Sequence, residues 1–177
     1  MSVPQLKTIR PLIHVELANI VDYFLSLSPK DDERMGTDRK NLPAREEWIQ
    51  MLIEDSHQPI EQRQFYYLGF FLDNTAIGHA GINKINFGNE AYIHFHIWKP
   101  QLHRQGLGRF YLKEAVQYYF NHFKLKKIIC EPNVENIAPN KTLLKSGFTL
   151  CDTYRIKPSI LSFEHAVNRY EIEKDCQ

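Results

Sequence analysis

The sequence is poor in cysteine and carries no long apolar run. Its 177 residues hold three cysteines, Cys130, Cys151 and Cys176. They are odd in number and widely spaced, which speaks against a disulfide framework and a cysteine-based zinc knuckle. Three reduced thiols in a cytoplasmic protein are expected. No N-terminal apolar segment is present, and no apolar stretch approaches membrane-spanning length, so neither a leader nor a membrane anchor is expected. An excess of charge is missing too. The chain has 22 basic and 21 acidic residues, a net +1, which gives no support to broad contact with nucleic acid or membrane. There is no Gly-Lys-Ser/Thr of a P-loop and no Gly-x-Gly-x-x-Gly after the first strand, which argues against a nucleotide-binding protein. Without repeats, linkers or low-complexity stretches, residues 1–177 read as one domain.

What is present can bury a core: 43% of residues are hydrophobic and 12% aromatic. Residues 5–10 read as a short strand ended by Pro11. Residues 14–27 space apolar side chains as a helix does, and Pro29 stops it. The charged stretch 30–40 has no apolar period and reads as an exposed connection. Residues 44–54 form a second helix with Trp48, Met51 and Leu52 on one face, behind Pro43. Three strands follow on short turns, 65–72, 77–85 and 90–98, as an antiparallel meander. The aromatic strand 65–72 is a candidate face for a partner, so a monomer or a homodimer is expected. Residues 108–123 read as a helix, 127–131 as a short apolar strand ended by Pro132, and 136–146 as a helix capped by Gly147. Residues 148–156 and 166–172 form a last strand pair. The chain is α/β, one mixed domain.

The segment Trp98-Lys-Pro-Gln-Leu-His-Arg-Gln-Gly-Leu-Gly-Arg-Phe110 carries the most chemistry. Gly106 and Gly108 lie where a strand turns into a helix, among His103, Arg104 and Arg109. Such a loop offers bare backbone N–H groups and a positive helix N-terminus to a phosphate. Glycine removes the Cβ that would block a close approach. A small, phosphorylated, anionic ligand is expected.

This segment resembles the acetyl-coenzyme A loop of the GNAT N-acetyltransferases. A second stretch, Asn136-Ile-Ala-Pro-Asn-Lys-Thr-Leu-Leu-Lys-Ser-Gly-Phe148, is similar to that family's Asn-rich helix ending in Gly-Phe. The order of elements matches over essentially the whole chain. The nearest likeness is to the branch holding ribosomal-protein alanine and small-amine acetyltransferases. The resemblance implies a central mixed, largely antiparallel sheet with helices on both faces. It also implies a splayed strand pair that binds acetyl-CoA. Pyrophosphate would rest on residues 103–109 (His103, Arg104, Gln105, Gly106, Leu107, Gly108, Arg109). The pantetheine arm would pair with the backbone of Ile97 and Trp98, with Asn136 and Asn140 as polar groups nearby. Asn136 reads equally well as a helix N-cap. Two positions depart from the family. The usual leading Arg or Gln is His103, and the tyrosine that many members use as general acid aligns with Leu143. The implied activity is acetyl transfer to a primary amine, on a small molecule or a peptide N-terminus, by direct attack in a ternary complex. An oxyanion would be held by backbone N–H near Trp98. The missing tyrosine leaves an alternative, an acyl-CoA-binding module that has lost its chemistry.

Strand 90–98 sets Glu90, Tyr92, His94, His96 and Trp98 on one face and Ala91, Ile93, Phe95 and Ile97 on the other. The second set is a core face. In the first, His94 and His96 lie beside the proposed thioester, where a base with a pKa near neutral suits deprotonation of an amine. The arylalkylamine acetyltransferases keep a similar His-x-His pair, shifted by one inward position. The alternatives are partly buried core histidines and, with no third ligand by spacing, zinc. His79 on the preceding strand is a further inward candidate. An acidic group (Asp31, Asp32, Glu33, Asp38) reads either as a solvated face or as an attractor for a cationic amine.

Overall fold

The computed structural model describes residues 5–174. Seven strands form one sheet in the order β1-β2-β3-β4-β5-β7-β6. The strands are β1 (Lys7–Pro11), β2 (Tyr66–Leu72), β3 (Thr75–Asn86), β4 (Glu90–Ile97), β5 (Lys127–Cys130), β6 (Thr149–Ile156) and β7 (His165–Glu173). Every neighbouring pair is antiparallel except β4 with β5. The helices are α1 (Leu17–Leu25), α2 (Pro29–Met35), α3 (Arg45–Ser56), α4 (Leu107–His122) and α5 (Ile137–Lys145). Among the described residues no helix is long and apolar enough to cross a membrane. Cys130 is buried in β5 and Cys151 is exposed; Cys176 lies outside the described residues.

Two apolar layers flank the sheet. On one face α4 lays Leu107, Tyr111, Leu112, Ala115, Val116, Tyr119 and Phe120 against the sheet, with Leu143 of α5 in the same core. Those positions recur at helical spacing, which is why the segment folds as a helix against an apolar wall. On the other face α1 and α3 close a smaller core of Leu17, Ile20, Val21, Trp48 and Leu52. Helix α5 ends as expected at Gly147, whose φ is +97°. Phe148 N–H donates to Leu143 O and Gly147 N–H to Leu144 O, a Schellman closure with buried Leu143 and Phe148 in apolar positions.

Three expectations need correction. Residues 29–35 are not an exposed connection but helix α2, started by Ser28, whose Oγ accepts from Asp31 N–H, and closed by Gly36 at φ +77°. The Ser-Pro start and glycine stop were present, but the inward residue is the acid Asp32, buried with Arg39 on its carboxylate. An acid at the inward position hides the apolar period. Met51 does not share the buried face of α3 and stays 39% exposed, because the inward stripe runs through Trp48 and Leu52. Strand 65–72 is no partner face. It is paired on both edges, with β1 and β3, and Leu68 to Leu72 are buried.

Candidate active site

The parallel ladder between β4 and β5 is short: Glu90 with Lys127, Ala91 with Ile128 and Tyr92 with Ile129. Beyond Tyr92 the strands part. β4 stays with β3 as far as Ile97 opposite Gly78, whereas the chain after β5 follows β7. Asn168 N–H donates to Pro132 O, Val134 N–H to Ala166 O, and Asn133 bridges to Val167. Pro132 has no N–H to give β4, which helps to end the ladder. Trp98 N–H donates to Ile77 O at 2.8 Å. By the two-residue period, even residues of this stretch turn their backbone to β3 and odd ones, Ile93, Phe95 and Ile97, turn theirs to the opened side. An extended amide chain can add there as a strand does. The N–H of Trp98 is therefore spent inside the sheet. It is not available to pair with an arm or to hold an oxyanion, whereas the backbone N–H groups of Phe95 and Ile97 face the opened side.

The loop after β4 closes on itself. A 3-10 turn spans Pro100–Leu102. His103 Nε2 donates to Ile97 O at 2.9 Å and Gln105 Nε2 to Gln101 O at 2.7 Å. His103 thus ties the loop to the strand end and uses one of the outward carbonyls, and Gln105 braces the loop. Arg104 (φ +61°) and Gly106 (φ +78°) take left-handed conformations that turn the chain into α4. Phe110 N–H reaches Gly106 O. Ahead of it, among the described residues, the N–H groups of Arg104, Gln105, Gly106, Leu107, Gly108 and Arg109 meet no backbone carbonyl. A Cβ built on Gly106 would meet nothing within 4 Å, and one on Gly108 only Thr142 Cγ2 at 4.0 Å. Arg104 and Arg109 are exposed, and their side chains form no ion pair among the described residues. The Leu107 side chain belongs to the core; only its N–H faces outward. The cradle and the opened strand edge fit a pyrophosphate with a pantetheine arm.

Asn136 begins α5 without capping it. Its Oδ1 accepts from Arg34 Nη1 at 2.7 Å, across 102 residues. Asn140 is spent within the fold: Nδ2 donates to Asn133 O and Asn136 O, and Oδ1 accepts from Asn168 Nδ2. Leu143 has no exposed surface and faces the core.

The histidine face lies under α1. His79, His94, His96 and Trp98 gather there with Tyr23 and Phe24; the His79 and His96 rings lie 5.0 Å apart, and His94 is 6.1 Å from each. Trp98 Nε1–H donates to His79 Nδ1 at 2.8 Å, and the Tyr23 hydroxyl lies 3.3 Å from His96 Nδ1. Burial pushes His94 down to about 4 and His96 down to about 3, His96 with further repulsion from His94 and Arg34. His79 falls well below its ordinary value for the same first reason. Burial pushes the Tyr23 phenol up to about 12. The expectation of a histidine titrating near neutrality is corrected in direction: the packing around all three imidazoles favours their neutral form. Among the described residues no group of three or more His, Cys, Asp and Glu side chains is placed to hold a metal ion.

Two polar side chains flanking the opened strands were not singled out from the sequence. Tyr23 had an apolar helical neighbourhood that masked its hydroxyl. Glu131 follows β5, two residues beyond the Tyr92–Ile129 pair, so continued register would set it opposite His94. Its side chain is 6% exposed and accepts from Arg169 Nη1 at 3.0 Å and from Tyr154 Oη. Arg169 Nη1 also donates to Tyr92 Oη at 3.0 Å. A carboxylate between an apolar strand and a proline was the available signal. The acidic stretch 31–38 is largely spent: Asp31 pairs with Arg34, Asp32 with Arg39, and Asp38 accepts from Lys40 N–H and Asn41.

A family model described as an acetyltransferase (GNAT) domain matches residues 8–149. Among curated proteins no relative matches. Among solved structures the chain is similar to spermidine N-acetyltransferase from Vibrio cholerae in complex with CoA and spermine, at 18% identity and a TM-score of 0.76, covering 94% of this chain and 95% of that one. It is similar also to ribosomal-protein-S5-alanine acetyltransferase from Vibrio fischeri, at 15% identity and a TM-score of 0.76, covering 96% and 93%. A third likeness is to a ribosomal L7/L12 α-N-protein acetyltransferase in complex with coenzyme A, at 18% identity and a TM-score of 0.73, covering 94% and 93%. At these identities the structures speak for the fold, and the family model, spanning most of the chain, speaks for descent. The chain belongs to the GNAT family of acetyl-CoA-dependent N-acetyltransferases.

Proposed function

We propose that the protein moves an acetyl group from acetyl-CoA straight to a primary amine, on a small molecule or a peptide N-terminus, with both bound together. The observation that carries this reading is the parting of β4 and β5 beside a free N–H cradle, with His94, His96 and Tyr23 on one arm and Glu131 on the other. Bound acetyl-CoA supplies an activated thioester carbonyl. The chain holds phosphate on the N–H groups of residues 104–109, with Arg104 and Arg109 adding charge, and an amide arm on Phe95 and Ile97. Two reactants held together replace a bimolecular encounter.

His94 or His96 takes the amine proton, directly or through water. Each is neutral and so has a lone pair to offer. The amine nitrogen becomes more acidic as its new bond forms, so a base weaker than the free amine can take its proton. No core residue at 143 donates a proton to the leaving thiolate; Tyr23, kept protonated by burial, is the hydroxyl nearest the histidines.

The test is thiol release from acetyl-CoA with polyamines, amino acids, aminoglycosides and N-terminal peptides. Turnover with one class supports the reading. Tight CoA binding with no turnover on any amine would show the alternative, a binding module without chemistry. His94→Ala and His96→Ala then separate the two imidazoles; if both retain the wild-type rate, neither is the base.

A further inference from the structure

His79 is completely buried, and the proposed chemistry does not use it. Its two ring nitrogens have different fates. An indole N–H can only donate, so the bond from Trp98 Nε1, 2.8 Å away, makes His79 Nδ1 the acceptor. The neutral ring must then carry its proton on Nε2. That N–H is buried without a partner among the described residues. An unmet buried donor is costly, and native proteins meet such groups with a protein acceptor or an ordered water.

The surroundings supply the other partners that a water needs. The rings of His96 and His94 lie 5.0 and 6.1 Å from that of His79, one tilted and one edge-on, so the three imidazoles form a single polar cluster. His94 Nε2 sits over Gly81, 2.5 Å from where a Cβ would be, so the glycine makes room for that nitrogen. Among the described residues, neither nitrogen of His94 nor His96 Nε2 takes part in a hydrogen bond. Tyr67, Tyr23 and Phe24 close the cluster from β2 and α1. A water there has one donor to accept from and imidazole lone pairs to donate to, enough partners to be held.

We propose that His79 is a positioning residue: fixed as an Nε2–H donor by Trp98, it holds one buried water against the imidazoles of β4, and that water receives the proton of the acceptor amine. This rests on the acetyltransferase reading above. One lone pair of the water takes the His79 N–H and the other faces the amine. As the amine N–H breaks, its proton joins the water oxygen, and a water O–H proton passes to His94 or His96. The water is regenerated, and the imidazole carries the proton. His79 takes no proton, since Nδ1 is occupied and Nε2 is already protonated.

The experiment compares His79→Phe, which keeps ring bulk without a donor, with His79→Gln, which keeps an N–H, and Trp98→Phe, which frees the tautomer. His79→Phe and Trp98→Phe should lower kcat at least tenfold with KM for acetyl-CoA unchanged within twofold. His79→Gln should stay within threefold of wild type. Wild-type kcat in His79→Phe, or a tenfold loss in His79→Gln with the wild-type melting temperature, overturns the proposal. A second measurement needs neither turnover nor variants: nitrogen-15 NMR of the wild-type imidazoles should show His79 protonated on Nε2 alone, with slow exchange of that proton. Protonation on Nδ1 overturns the proposal. A wild type that acetylates no amine removes the acetyltransferase reading while leaving the tautomer result to stand or fall alone.

Discussion

Two glycines show how differently the same residue can serve. A Cβ on Gly78 would lie 2.2 Å from His96 O, a backbone atom that cannot step aside, so β3 and β4 lie together only because that position is bare. Gly106 has empty space before it but a φ of +78°, which costs a β-branched residue about 1–2 kcal/mol. Gly106→Val should therefore leave a folded protein that has lost CoA affinity, read by calorimetry beside a thermal melt; unchanged affinity would remove the cradle. The histidines make a second prediction at this scale. In the unfolded chain they titrate near the ordinary value of about 6.5, whereas in the fold burial holds His94 and His96 at about 4 and 3. Between those limits the unfolded chain binds more protons, so stability rises with pH there. Melting temperature should fall as pH is lowered from 6.5 towards 4, less so in His94→Phe. The rate profile should show no limb from either imidazole between pH 6 and 8; a limb that His96→Ala abolishes would mean a more basic residue than the fold implies.

Among the elements, α2 is the one whose placement matters most to the acceptor side. Arg34 joins it to Asn136 at 2.7 Å, and Asn133 Nδ2 donates to Glu33 O. Gly36 and Asp38 bond the segment that follows to Phe163 and Leu161 of the β6–β7 connection. Arg34 is 40% exposed, so Arg34→Ala should cost less than about 1 kcal/mol of stability. It should raise KM for the amine more than KM for acetyl-CoA, since α2 borders the histidine side and not the phosphate cradle; equal changes in both constants would refute that division. The strands were legible where side chains alternate, as in β4, and the cradle was legible because glycines at a strand-to-helix turn have a local meaning. The bond between Arg34 and Asn136 and the spending of Asn140 on Asn133, Asn136 and Asn168 were not, because partners so far apart leave no mark in any window. Helix α2 was missed for a local reason, an inward acid. The neutrality of His94 and His96 was hidden by packing, since the alternation showed their face and not what covers it.

At the scale of the molecule, ligand binding and stability are one measurement. At a hundredfold excess over Kd, CoA should stabilise the fold by about 2.7 kcal/mol, raising the melting temperature by about 5–10 °C in a chain of this size; a melt that CoA does not move would contradict the cradle and the opened edge together. The sheet itself is uneven. Four strands lie on one side of the β4–β5 junction and three on the other, joined by three parallel residue pairs. Such a junction is a seam, and its amides report on it. In deuterated solvent the N–H groups of Phe95 and Ile97 should exchange quickly, unlike the amides turned inward to β3, among them that of Trp98. An extended ligand laid along the open edge would slow Phe95 and Ile97 and leave Trp98 unchanged. Alternate residues of one strand would thereby signal occupancy without any reaction taking place.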